Sequence, residues 1–185
     1  ELASLQGVAK DGKAFVHGAQ RVDLSPPWER LSVAEAFQRY AEVTVEEVLM
    51  QDRFDEVLVT DVEPHLGKTK PTFLHDYPVI LGSLARRKAD DPELAERFEL
   101  YIAGVELANG FSELADAAEQ RQRFQHEIEA MCASGGKPGM PEKFLAELPA
   151  MGACAGIALG VDRLFMQMIN GTTLSDSLAF NFETL

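Results

Sequence analysis

The sequence predicts an α+β domain: a mostly antiparallel sheet with helices on its outer side, bearing ligands on its open face. Three observations predict it. Residues 96–114, ERFELYIAGVELANGFSEL, read as a β-hairpin. Residues 152–171, GACAGIALGVDRLFMQMING, read as a strand, a glycine turn and a helix. Elsewhere, Ser and Thr caps open short amphipathic helices. The chain of 185 residues is long enough for one domain, residues 1–185, with a sizeable core.

Taken in order, residues 1–12 read as the end of a helix and a Gly-rich break. Lys13–His17 and Gln20–Leu24 form a hairpin around Gly18-Ala19. Ser25-Pro26-Pro27-Trp28 stops the strand, since proline donates nothing to a ladder. Ser32 and Glu35 are spaced as a capping box, followed by a helix to about Ala41 with Val33, Phe37 and Tyr40 on one face. Thr44 and Glu47 repeat the signal. Residues 52–67 have helical apolar spacing at Phe54, Val57, Leu58 and Val62, ended by Pro64 and Gly67. Thr72–Pro78 is a short strand. His75 beside Asp76 suits a structural role better than that of a general base.

In the central hairpin, Phe98, Leu100 and Ile102 alternate with Arg97, Glu99 and Tyr101, and the apolar set is expected to face the core. Ala103-Gly104 makes the turn. The second strand carries Glu106, Asn109 and Glu113 among Ala108, Gly110 and Phe111. Asn109, Phe111 and Glu113 share a parity that Glu106 lacks. For both carboxylates to reach one cavity the strand has to bulge or twist, at Gly110 or at Ala108-Asn109. One carboxylate would then hold a metal ion with its phosphates and the other a cationic amine, beside an amide and an aromatic wall. Spacing alone equally allows a hairpin whose acidic face is simply solvated.

Asp116, or Ser112, caps a polar helix ended by Gly135-Gly136, and its Phe124, Ile128 and Met131 stripe is expected to pack on the sheet. A short helix follows Pro141. Ala155–Leu159 is apolar on both faces, as a central strand would be, and Gly160 lets the backbone pass close to a flat ligand. The helix Val161–Ile169 has Gly171 as its stop. Arg163 sits in its first turn, where a guanidinium can fork or stack on a phosphate. The glycine pattern is neither that of a Rossmann turn nor that of a Walker loop.

A net charge of −13 argues against broad binding to a nucleic-acid backbone. Arg86-Arg87-Lys88 reads as a solvated loop. Cys132 and Cys154 have no zinc or disulfide spacing and read as buried thiols of a reducing compartment. No segment approaches the roughly 20 apolar residues of a membrane helix.

VELANGFSEL and GIALGVDRL, together with SPPWERLSVAEAF and KPTF…YP, resemble the class II lysyl-tRNA synthetase family. Within that family they are most similar to the short paralogues that attach a lysine-type residue to elongation factor P. The resemblance implies the class II synthetase-like antiparallel sheet flanked by helices, with ATP and Mg2+ as cofactors. It implies Glu106, Leu107, Gly160 and Arg163 as ATP-binding residues and Asn109, Phe111 and Glu113 as the site for lysine or β-lysine. Glu106 and Glu113 are the metal candidates, Arg163 is catalytic and Asp162 structural. Ala158 stands where lysyl-tRNA synthetases commonly have glycine, which favours the paralogue. The resemblance covers the C-terminal half of the family's catalytic domain; the family's first and second motifs have no counterpart here. Absence of the second motif's arginine would cost ~3 kcal/mol or more, about 10²-fold in rate, so this chain alone is expected to be weakly active. The expected acceptor is elongation factor P, with tRNA-Lys as the alternative and an inactive lysine- and ATP-binding paralogue as a third reading. A cytoplasmic homodimer is expected by the same resemblance.

Overall fold

A computed structural model describes residues 7–9, 12–17, 20–178 and 180. The expected turn at Gly18-Ala19 and most of the expected N-terminal helix end lie outside the described residues. The strands β1 (Ala14–His17) and β2 (Gln20–Asp23) pair antiparallel, as their alternation predicts.

A five-stranded sheet follows, in the order β3 (Glu29–Ser32), β4 (Thr72–Pro78), β5 (Leu94–Ile102), β6 (Val105–Ser112) and β7 (Ala155–Leu159). Strands β3 and β4 run parallel, Leu31 opposite Leu74. Strand β3 is an element that the sequence reading passes over: two prolines and a tryptophan precede it, and only four residues of ladder remain before Ser32 caps a helix. The rest of the sheet is antiparallel. Val79 N donates to Glu93 O and Ala103 N to Gly67 O, partners that run in opposite directions. The turn between β5 and β6 has Ala103 at φ 54 and Gly104 at φ 82, the two positive values that a two-residue hairpin turn requires.

Both capping boxes form. Ser32 accepts from Glu35 N and opens α1 (Val33–Tyr40); Thr44 accepts from Glu47 N and opens α2 (Val45–Met50). Helix α3 (Phe54–Val57) continues as a π turn, Leu58–Val62, then a 3-10 turn over Glu63–His65. The π turn closes with Glu63 N on Leu58 O. Helix α4 (Ala117–Ala133) is capped by Asp116, and α5 (Glu142–Glu147) follows Pro141. Helix α6 (Val161–Met168) starts directly after Gly160.

The chain divides into two compact units: residues 1–76, 98–109 and 158–185 form the first, and residues 77–97 and 110–157 the second. In the first, Phe37 stacks on Phe54 with ring centroids 4.8 Å apart, and Leu31, Val48, Val62, Leu66 and Leu74 are buried. A second cluster joins Phe15 and Val22 of the β1–β2 hairpin to Ile102, Ala103 and Leu107, with Leu164 and Met168 of α6 packed against it. This cluster seats α6 on the start of β6.

In the second unit, Arg97 lies over the Tyr77 ring at 4.5 Å and donates to Leu81 O. Arg123 of α4 donates to Ser83 O and Ala85 O, and Arg86 and Arg87 are ion-paired to Glu96 and Glu119 on the surface.

Several expectations are corrected. On β5 the buried residues include Glu99 and Tyr101, whereas Phe98 and Leu100 are only partly covered. Strand β7 is the sheet's edge and is exposed at all five positions, not a central strand. Cys132 and Cys154 are free and exposed, not buried. The apolar stripe of α4 stays half covered: Gln120 is that helix's buried residue, and Phe124 packs on Phe144 of α5. The left-handed residue ending α6 is Asn170, at φ 60, with Gly171 following it.

Candidate functional site

Strand β6 and the β7–α6 corner supply the candidate site. Gly160 N donates to Leu107 O at 2.8 Å, so the chain turns into α6 flush against β6. A Cβ on Gly160 would sit 3.5 Å from that carbonyl and 3.4 Å from Arg163 Cδ, ordinary contact that leaves no room to spare. Leu107 is buried at 3% in the apolar cluster, and Leu164, one residue after Arg163, packs on the same cluster. That packing fixes Arg163 above the strand. Its Nη1 donates to Glu106 O and to Glu106 Oε2, each at 3.0 Å. The pair is half exposed, and an ion pair so placed is worth only about 0–1 kcal/mol, which makes it exchangeable for an anionic ligand.

Glu106, Asn109, Ala158, Gly160, Arg163 and Leu174 line a cleft of about 310 Å³, at the small end of the ~300–1,000 Å³ range of small-molecule pockets. Leu107 also borders it, although its side chain belongs to the core.

Next to this corner lies a group the sequence reading missed. Glu99, 6% exposed, accepts from Tyr101 Oη at 2.7 Å and from Asn109 Nδ2 at 3.1 Å. Tyr101 is fully buried, and its hydroxyl is also 3.0 Å from Glu63 Oε1. A phenol has one proton for these two carboxyl groups. Tyr101 Oη faces both Glu99 Oε2 and Glu63 Oε1 as donor, so the two carboxyl groups share its single proton. Burial pushes the Glu63 carboxyl above its ordinary value. The Tyr101 hydrogen bond pulls it back, Glu99 and Glu106 push the same way as burial, and Arg163 opposes them. The signal for Glu99 was present in the sequence as its parity with Tyr101, but alternation assigns charged residues to solvent. A polar pocket inverts that rule. For Glu63 no local signal exists, because it sits where a π turn passes into a 3-10 turn.

The structure therefore brings Glu106, Leu107, Asn109, Gly160 and Arg163 together within the first unit. Phe111 and Glu113, on the continuation of the same chain, belong to the second unit. Against β7 the β6 register holds no inserted residue: Gly160 N→Leu107 O and Glu113 N→Cys154 O bracket equal lengths of both strands. Asn109 Oδ1 is buried with no partner among the described residues. No group of three or more His, Cys, Asp or Glu side chains forms a metal cage among the described residues. No helix among them is long and apolar enough to cross a membrane.

Comparison with known proteins gives a consistent picture. A protein of Pectobacterium carotovorum subsp. carotovorum (strain PC1), named elongation factor P--(R)-beta-lysine ligase, is 49% identical over 125 residues, 66% of this chain and 38% of its own. The protein of the same name from Proteus mirabilis (strain HI4320) is 49% identical over 127 residues, 67% of this chain and 39% of its own. That of Salmonella paratyphi B (strain ATCC BAA-1250 / SPB7) is 37% identical over 181 residues, 85% of this chain and 56% of its own. The chain thus spans from about two fifths to just over half the length of these relatives. Residues 4–184 match the family described as tRNA synthetases class II (D, K and N). The α+β fold, the antiparallel hairpin and that match over nearly the whole length agree, and the chain belongs to the class II tRNA synthetase family (D, K and N).

Proposed function

We propose that the whole protein activates lysine or (R)-β-lysine with ATP as an acyl-adenylate and transfers it to a lysine side chain of elongation factor P. The observation that carries this reading is the cleft in which Arg163, Glu106, Asn109 and Gly160 meet within one unit. The relatives' names supply the amino acid and the acceptor. Arg163 gives up its exposed pairing with Glu106 to bind ATP phosphate, and Gly160 admits the flat nucleotide beside Leu107. Asn109 offers its open Oδ1 and Phe111 a wall to the amino acid, and Glu113 pairs with the cationic amine.

The donor set fits a magnesium ion. Mg2+ takes one or two carboxylates and completes its shell with substrate phosphates, so a three-residue cage is not required. Glu106 in the first unit, or Glu113 in the second, would give the ion a carboxylate, and the ion would supply charge neutralisation for the triphosphate. The chain's own residues do the rest by positioning. The amino-acid carboxylate needs no general base, being ionised at neutral pH. One of its oxygens attacks the α-phosphorus in line and pyrophosphate leaves; the acceptor amine then attacks the acyl carbon and AMP leaves.

Ala158 borders the cleft, where lysyl-tRNA synthetases commonly carry glycine, and this favours the elongation factor P acceptor over tRNA-Lys. A homodimer in the cytoplasm suits the reading. ATP–pyrophosphate exchange by the whole protein tests it: (R)-β-lysine or lysine should drive exchange, and elongation factor P should become acylated. Charging of tRNA-Lys in its place would favour the conventional synthetase, and binding of both ligands without exchange an inactive paralogue.

A further inference from the structure

We propose that Gly156 is a positioning residue for Glu113: by carrying no side chain it leaves the space in which the Glu113 carboxylate stands, and so fixes the site's hold on the substrate amine. The inference rests on the reading of Glu113 as the partner of that amine. Both residues belong to the second unit.

Gly156 lies in β7, and a Cβ placed on it would come within 2.9 Å of Glu113 Oε1. Real Cβ atoms do not approach so closely, so one of the two must move. Among the described residues no other atom beyond its chain neighbours lies within 4 Å of that position. The glycine therefore serves neither a tight core nor a close backbone crossing. Nor does its own backbone demand glycine, since its φ is outside the left-handed region. An exposed strand position with ordinary dihedrals ordinarily favours a side chain. What a side chain here would meet is one carboxylate oxygen.

Glu113 can answer only with its side chain. Its N–H donates to Cys154 O at 2.9 Å on one side. On the other it bridges to Ala85, and the flanking bonds Arg86 N→Ser112 O and Leu114 N→Leu84 O hold the main chain at 2.8 and 2.9 Å. With the backbone pinned from both edges, a methyl group at position 156 swings the carboxylate away. The register set by Glu113 and Cys154 also puts Gly156 opposite Phe111, the proposed aromatic wall, so the small residue sits between the two groups that would frame the amine.

The test uses the whole protein with Gly156→Ala, Glu113→Gln and the double variant. In pyrophosphate exchange, Gly156→Ala is expected to raise the amino-acid KM about tenfold while the ATP KM stays within about twofold. In the Glu113→Gln background the alanine should add little, because the charged group it displaces is gone. Equal effects in both backgrounds, or an unchanged amino-acid KM in Gly156→Ala alone, would overturn the proposal. Glu113→Gln with unchanged amino-acid KM would remove the amine-binding reading instead. A crystal structure of Gly156→Ala separates the two failures: a displaced Glu113 carboxylate supports the positioning role, and an unmoved one ends it. The folded state should survive, since alanine at such a backbone position maintains or raises thermal stability.

Discussion

Two carboxylates of the same hairpin, Glu106 and Glu99, live under opposite physics. Glu106 faces an arginine across a half-open cleft, and either partner can leave for another ion at little cost. Glu99 is shut in, held by a phenol and an amide, with a second carboxyl behind the phenol. The first arrangement is built to exchange and the second to stay put. On the proposed reading, binding and releasing a charged nucleotide would use both: a movable cation at the mouth and a fixed acidic floor.

The sharpest way to break this contrast is at the movable end. Arg163→Ala should lower pyrophosphate exchange by the whole protein about 10²- to 10³-fold, while shifting the melting temperature by no more than a couple of degrees. Arg163→Lys should recover little, because an ammonium cannot fork onto a phosphate. Equal losses of activity and stability would mean that Arg163 is structural after all.

At the fixed end the balance should reverse. Tyr101→Phe removes the proton that two carboxyl groups share and should cost about 1–3 kcal/mol in denaturant unfolding. Adding Glu63→Gln should return part of that loss, since the pair left facing each other then includes one neutral amide.

Glu63→Gln alone should be a smaller effect with a diagnostic pH dependence. The folded state raises this carboxyl, so folded protein holds the proton to higher pH than unfolded protein does. Wild-type stability on this account is greatest below the ordinary carboxyl range and falls as pH rises toward the raised value. The glutamine variant escapes that fall, keeping an acceptor for Tyr101. Its melting temperature should exceed wild type by about 1–3 °C at neutral pH and match it near pH 4. The smallest effect belongs to Glu106→Gln, whose thermal stability should differ little from wild type at any salt concentration.

What could be read from the sequence was local. Ser32 with Glu35 and Thr44 with Glu47 declare their helices within four residues, and Ala103-Gly104 declares its turn within two. The strand–glycine–helix pattern put Arg163 in the first turn of its helix, but its pairing with Glu106 across to β6 was not legible in it. What could not be read depended on chain brought from elsewhere. The buried group around Glu99 draws on Glu63, from the 3-10 turn that follows the π turn 36 residues upstream, and on Asn109 from the next strand. Strand β3 needs β4 as a parallel partner 43 residues on. The space beside Glu113 is a property of β7, invisible until the two strands are in register.

Strand β7 has a further consequence. Its five residues, Ala-Gly-Ile-Ala-Leu, carry no charge, lysine or proline to discourage a neighbour, and Ile157 and Leu159 stand more than half exposed. Nothing among the described residues pairs with its outer side. A border of that kind is a template for intermolecular strand addition. Concentrating the isolated chain should therefore drive self-association through this rim, and a lysine placed at Ile157 should keep the material dispersed.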